Sequence, residues 1–118
     1  MNSKELRIGN LVNRLGEPHF ITAIHPDGNV GIDTRKHVFI YEVEPIQLTE
    51  EWLLKFGFIL KSDIDGEYYE KNGVKVLILR SETIHFFFGN PNTKEKFVHE
   101  LQNYYSVMTG NELNVHLK

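Results

Sequence analysis

The chain has 118 residues, no cysteine and a formal net charge of −3, with a pI of about 6.0. Disulfides, thiolate nucleophiles and cysteine zinc sites are therefore excluded, and the acidic balance argues against binding nucleic acid through overall charge. One domain of this length can bury a sizeable core, and a 41% hydrophobic content with eight Phe, five Tyr and one Trp opposes intrinsic disorder.

The opening "MNSKELRIGN" has no apolar core of a signal peptide, and no run approaches the ~18 apolar residues of a membrane span. The expected location is the cytoplasm. From Leu6 to Pro45 short β segments alternate with turns. "LRIGNLVN" leads through Leu15-Gly16-Glu17-Pro18 to "HFITAI", Asp27-Gly28-Asn29 turns into "VGID", and "HVFIYEVE" supplies a further strand. This spacing predicts a small curled sheet of the SH3-like barrel type. Such an architecture hosts protein ligands, nucleic acids or nothing, so it does not select a function.

"LTEEWLLKFGF" is a helix written in full. Thr49 is its N-cap, Glu50 and Glu51 suit the positive end of the dipole, and Leu48 and Leu53 form a hydrophobic staple. Trp52, Leu53 and Phe56 lie on one side, and Gly57 stops the helix before Phe58 packs back on it. "KSDIDG" then reads as a polar turn and "EYYEKNGVKVLILR" as a hairpin about Asn72-Gly73. Val74, Val76 and Ile78 share one face of the returning strand, Leu77 and Leu79 the other, so both faces are apolar. "TIHFFFG" follows as a strand. A second helix is expected from about Asn92, with Asn92 and Glu95 as a capping box and Gly110 as its stop. Phe97, Val98, Leu101, Tyr104, Tyr105 and Met108 form its stripe. "ELNVHL" is expected to end the chain as a strand.

The predicted class is therefore α+β in a single domain over residues 1–118, with a β-rich subunit at 1–45 and an α-β-β-β-α-β subunit at 46–118. Helices cover one face of the second sheet. The other face needs the N-terminal strands or another copy of the chain as cover.

No phosphate-binding loop, dinucleotide fingerprint or nucleophile elbow occurs. "SDIDGE" looks like a calcium loop, but with Gly66 at the sixth position Lys61 and Asn72 fall where carboxylates are required. Six histidines are present; His37 can approach His19 and His25 from a neighbouring strand, and His85 and His99 can meet across the helix packing. No metal-binding spacing supports either group, so locally hydrogen-bonded histidines are expected. Asp63, Asp65, Glu67 and Glu70 form the nearest carboxylate cluster, and their turn-rich setting favours solvent over acid–base work. No catalytic residue, metal or cofactor is assigned.

The aromatics say more. Tyr68 and Tyr69 occupy opposite faces of one strand, Phe86 to Phe88 are consecutive, and Tyr104 and Tyr105 edge the second helix. Core packing explains most of these rings; a protein interface explains the remainder better than base stacking, which needs a positive groove.

"LRIGN", "PIQLTEEWLLKFGF" and "FVHELQNYYSVMTGNEL", in this order, resemble segments of short uncharacterised proteins encoded by Bacteroidetes phages, prophages and related mobile elements. "NYYSVMTGNEL" departs from the "NLYFALTGEEL"-like form of that group; a Tyr in place of Leu keeps apolar bulk, as a ring, and favours exposure. The resemblance implies a bacterial or phage cytoplasm and transfers no activity, cofactor or site.

Two functions follow as expectations. The first is a non-enzymatic accessory or interaction protein contacting a protein partner, or a second copy, through Tyr68, Tyr69, Phe87, Tyr104 and Tyr105. The second is a nucleic-acid-binding module whose N-terminal unit meets phosphates through Arg7, Arg14, Arg35 and Lys36.

Overall fold

The computed structural model describes residues 1–88 and 97–115. The chain divides into two compact units, the first covering Met1–Ile46 and the second beginning at Gln47. Each unit holds one antiparallel sheet of four strands.

In the first unit the strands β1 (Leu11–Arg14), β2 (Glu17–Ile24), β3 (Val30–Ile32) and β4 (Arg35–Val38) lie in chain order. Leu6, Val12, Ile21, Val30, Ile32, Val38 and Val43 are buried together as its core. The segment read as one strand, "HVFIYEVE", is divided. β4 ends at Val38 and a 3-10 turn occupies Ile40–Glu42, because the side chains of Glu42 and Asn29 take the backbone N–H groups of Phe39 (3.0 Å) and Ile40 (2.9 Å) that a ladder would use. Beyond it, Asn13 and Glu44 exchange two backbone hydrogen bonds of 2.8 Å. Among the described residues that isolated bridge is the one backbone pairing between this segment and the free edge of β1. The result is an open sheet where a curled barrel was expected.

The β1–β2 turn carries a strained residue. Leu15 has φ 52° and Gly16 φ 80°, the pair of positive values a two-residue type I′ turn demands, and Leu15 is 87% exposed. A Cβ-bearing, γ-branched side chain in the left-handed region costs about 1 kcal/mol and here gains little packing in return. Leu15→Asn is expected to stabilise the protein by about 1 kcal/mol, raising Tm by about 4 °C in calorimetry.

The second unit starts with α1 (Glu50–Lys55). Thr49 Oγ1 accepts from the Trp52 N–H at 3.3 Å. At the other end the N–H groups of Gly57 and Phe58 reach the carbonyls of Leu54 and Leu53, both at 3.0 Å, with Gly57 at φ 91°. This is a Schellman stop, which satisfies carbonyls the helix would otherwise leave open and turns the buried Phe58 back onto it.

The sheet order is β5 (Ile59–Asp63), β6 (Gly66–Lys71), β7 (Val74–Arg80) and β8 (Ile84–Phe87). Asn72 (φ 50°) and Gly73 (φ 84°) make the expected turn and set Lys71 opposite Val74. Of the segment read as a polar turn, Ile64 and Asp65 form the turn, Lys61, Ser62 and Asp63 belong to strand β5 and Gly66 opens β6. Strand β5 is exposed along its whole length, so no apolar alternation betrays it.

Helix α2 (Val98–Thr109) ends at Gly110 (φ 74°), as expected. Its capping residue is Phe97; the capping box assigned to Asn92 and Glu95 lies outside the described residues. Of the expected last strand, residues 112–115 form no strand, and His116 and Leu117 lie outside the described residues. Leu113 is buried, yet its carbonyl accepts from Gln102 Nε2 of α2 at 3.3 Å rather than from a ladder. The described structure is thus mostly β, with two open sheets and few helices, in place of the predicted α-β-β-β-α-β arrangement. No helix among the described residues is long and apolar enough to cross a membrane.

Candidate functional site

The register of the second sheet decides which aromatic residues face where. Tyr69 is opposite Val76, while Tyr68, Leu77 and Phe87 stand in one row across β6, β7 and β8. Side chains alternate along a strand, so Tyr69, Val74, Val76 and Phe86 form the inner face, all buried. The outer face carries Tyr68, Leu77, Leu79, His85 and Phe87.

Both described helices pack on the inner face. Tyr69 Oη donates to Glu50 of α1 at 2.9 Å. Tyr105 of α2 stands edge-on to Phe58 with 6.2 Å between centroids, and its hydroxyl accepts from Asn72 Nδ2 at 2.6 Å. The five expected contact residues are thereby divided. Tyr69 and Tyr105 are core residues with committed hydroxyls. Tyr104 is half-buried against Phe88 at 5.4 Å, on the helix side. Tyr68 and Phe87 alone share the outer face, half-buried on either side of Leu77.

Leu77 and Leu79 were expected to need a cover, and the structure leaves them 50% and 52% exposed. The patch is flanked by charge: Lys61 pairs with Glu70 on neighbouring strands, and Lys75 Nζ lies 4.9 Å from the centre of the Tyr68 ring. The Lys61 contact holds the Glu70 carboxyl below its ordinary range and raises the lysine.

A polar tie fixes α1 over the inner face. Arg80 reaches both Glu50 oxygens (2.7 and 3.0 Å) and Glu67 Oε1 (2.8 Å). The guanidinium lowers the Glu50 carboxyl from its usual 4.5, with the Tyr69 hydroxyl adding to it. Burial, then the Glu50 hydrogen bond, raises the Tyr69 phenol above its usual 10.0. A depressed carboxyl contributes stability that is present above its unfolded value and lost as pH falls through the folded one. A raised phenol contributes stability present below 10.0 and lost as pH rises through the folded value. Tm should therefore fall on acidification below 4.5, with Arg80→Gln flattening that slope, and fall above pH 10.0, with Tyr69→Phe flattening that one. Scanning calorimetry across pH checks both.

The expected chemical clusters separate. Glu67 faces Arg80 on the inner side, Glu70 faces Lys61 on the outer side, and Asp63 caps its own turn through the Asp65 N–H at 2.8 Å. His85 lies on the outer face beside Thr83 (3.1 Å) and His99 is buried in α2 against Phe97, so the sheet stands between them. His99 was expected on a polar flank.

In the first unit His19 Nδ1 is 2.7 Å from Asp33, whereas His25 and His37 stack with centroids 5.1 Å apart. His25 Nε2 is committed to the Lys36 carbonyl at 2.9 Å, and His37 Nε2 lies 3.3 Å from Asp27. The Asn29 backbone N–H, then His37, hold that aspartate below its ordinary range. Among the described residues no group of three His, Cys, Asp or Glu side chains is placed to hold a metal ion.

Arg7, Arg14, Arg35 and Lys36 are not gathered into one patch. Arg7 precedes β1, Arg14 ends β1 opposite Glu17, and Arg35 and Lys36 open β4 on the other edge of the sheet. Arg14 Nε is buried with no hydrogen-bond partner among the described residues.

Sequence reasoning missed an exposed ladder of rings: His37 meets Phe39 edge-on at 5.7 Å, and Phe39 stacks on Tyr41 at 5.3 Å. The i, i+2, i+4 spacing of these rings in "HVFIY" was the available signal.

The fold and site define a small, mostly β protein with one apolar sheet face open. Comparison of the chain with protein-family models, with curated proteins and with solved structures finds no match.

Proposed function

We propose that the chain is a small non-enzymatic interaction protein of the bacterial or phage cytoplasm, and that the outer face of the second sheet is its contact surface. One observation carries this reading: the helices lie on the inner side while Leu77, at the centre of β7, and Leu79, toward its end, stay half-exposed between Tyr68, Phe87 and His85. A sheet centre rich in aromatic and aliphatic groups, flanked by charge, has the composition of an interface core with a polar rim. The origin in a phage or mobile element rests on the three-segment resemblance alone.

The test is a photo-crosslinking amino acid placed at position 77, with position 107 on the exposed side of α2 as control, irradiated in the expressing cell. A protein adduct specific to position 77 supports the reading. Equal labelling at 77 and 107, or none at 77, overturns it.

A second reading, nucleic-acid binding by the first unit, is favoured by the exposed Phe39 and Tyr41 rings next to the His25–His37 stack, whose Lys36 neighbour carries a cation. Asp27 beside His37 opposes it electrostatically. A flat anisotropy titration with a labelled single-stranded oligonucleotide at low salt removes this reading.

A further inference from the structure

We infer that the occupant of the outer face is a second copy of the same chain, packed face to face about a twofold axis parallel to the strands and running between β6 and β7. The inference rests on the contact-face reading above and takes its argument from the register. Ladder partners define rows across the sheet: Glu70 is level with Lys75, Tyr68 with Leu77 and then Phe87, and Leu79 with His85.

A twofold along the strands lays β6 of one copy over β7 of the other at the same level, so that row partners within the chain become partners between chains. Glu70 then meets the partner's Lys75, and Lys75 the partner's Glu70. Tyr68 meets the partner's Leu77, a ring on an aliphatic side chain, and Leu77 meets the partner's Tyr68. Asp63 at the end of β5 comes over the partner's His85 on β8. The Glu70–Lys75 contact is opposite in charge and the Tyr68–Leu77 contact apolar on both sides, and each occurs twice, as an isologous interface requires, while at the rim Lys61 comes level with the partner's Phe87. A twofold across the strands has no such match, because it lays the charged Glu70–Lys75 end over the apolar Leu79 end.

Twisted sheets pack about 30° from parallel. The Tyr68 and Leu77 pairs lie close to the axis and barely move under that rotation. Glu70 and Lys75 lie roughly 7 Å along the strands from that row, so they shift by about 3.5 Å, within the reach of two long side chains. A face of four strands at about 4.8 Å spacing and roughly 20 Å length covers about 400 Å2 per copy, or about 800 Å2 in all. That is the small, transient end of protein interfaces, so the dimer is expected to have a Kd in the upper micromolar range, at about 100 μM or above.

The decisive experiment is sedimentation velocity on the full chain from about 1 to about 500 μM, with Glu70→Lys, Lys75→Glu and an equimolar mixture of the two variants. Wild type should pass from monomer to dimer. Each variant alone sets two like-charged pairs across the interface and should weaken dimerisation by about tenfold or more. In the mixture the lysine introduced at position 70 of one variant faces the glutamate introduced at position 75 of the other. The unchanged Lys75 of the first faces the unchanged Glu70 of the second, so a heterodimer should return. Loss of a merely structural contact would not be rescued by mixing, and far-ultraviolet circular dichroism verifies that each variant is folded. A monomeric wild type, undiminished dimerisation of either variant, or a mixture that stays monomeric overturns the inference. A monomeric wild type with a heterologous adduct at position 77 leaves the contact-face reading standing, whereas no adduct there removes both.

Discussion

Tyr105→Ala is expected to lower the stability of the protein by about 3–5 kcal/mol, a large share of the total for a domain of this size. Tyr105 is 2% exposed on α2 and joins three other parts of the second unit. Its ring edge meets Phe58, the residue that the α1 stop turns inward. Its hydroxyl accepts from Asn72, which holds the positive φ of the β6–β7 turn. Lys71 Nζ, hydrogen-bonded to the Phe56 carbonyl at 2.6 Å, lies 5.8 Å from the ring centre. Removing the ring leaves a cavity among residues fixed by backbone geometry, which cannot collapse freely. Tyr105→Phe separates the parts of the effect: it keeps the packing, loses one hydrogen bond at a partly buried position, and should cost about 1 kcal/mol. Urea unfolding of both variants measures the difference. A Tyr105→Ala loss no larger than that of Tyr105→Phe would mean that the ring is not packed as described.

These same contacts show why some elements could be read in the sequence and others could not. The helix from Thr49 to Phe58 depends on rules that act within one turn, a cap, a first-turn charge and a left-handed glycine, and these need no knowledge of the remaining chain. Asn72-Gly73 is equally local. With that turn in hand the fate of the tyrosines could also have been derived: Val74 and Val76 are buried, register places Tyr69 opposite Val76, and so Tyr69 points in and Tyr68 out. Strand β5 had no such signal. Its pairing with β6 is held by the backbone, the Asp63 turn and the Lys61–Glu70 ion pair, while both of its faces meet solvent, so polar residues serve there as well as apolar ones. The apolar alternation of Leu113, Val115 and Leu117 misled over its described part, residues 112–115, for the converse reason. Burial of Leu113 is satisfied against α2, and period-2 spacing over so few residues does not require a strand. The outer-face patch was legible only in outline: two apolar faces on β7 were visible, but which one the helices cover depends on tertiary packing.

The second large effect is expected from the smallest substitution, Gly31→Ala, which should destabilise the first unit by about 3 kcal/mol. Gly31 is buried in the middle of β3. A Cβ built there would lie 2.7 Å from the Lys36 carbonyl oxygen and 3.2 Å from both Ala23 Cβ and Thr22 Oγ1. The nearest atom is backbone, on the adjacent strand, so it cannot rotate away as the tip of a side chain would. The same carbonyl accepts the His25 Nε2 hydrogen bond, and the β3–β4 register already shifts between Val30 and Ile32. Relief therefore requires β4 to move away from β3, which breaks ladder bonds and separates His25 from the strand bearing His37. Gly16→Ala is the control: its Cβ meets nothing within 4 Å, so its cost comes from φ +80° alone and should stay near ~1 kcal/mol. Amide hydrogen exchange reads the two apart. Gly31→Ala should lose protection across β2, β3 and β4, and Gly16→Ala only at the β1–β2 turn. Equal and local losses in both would mean that the close approach of Lys36 to Gly31 is not what keeps this position free of a side chain.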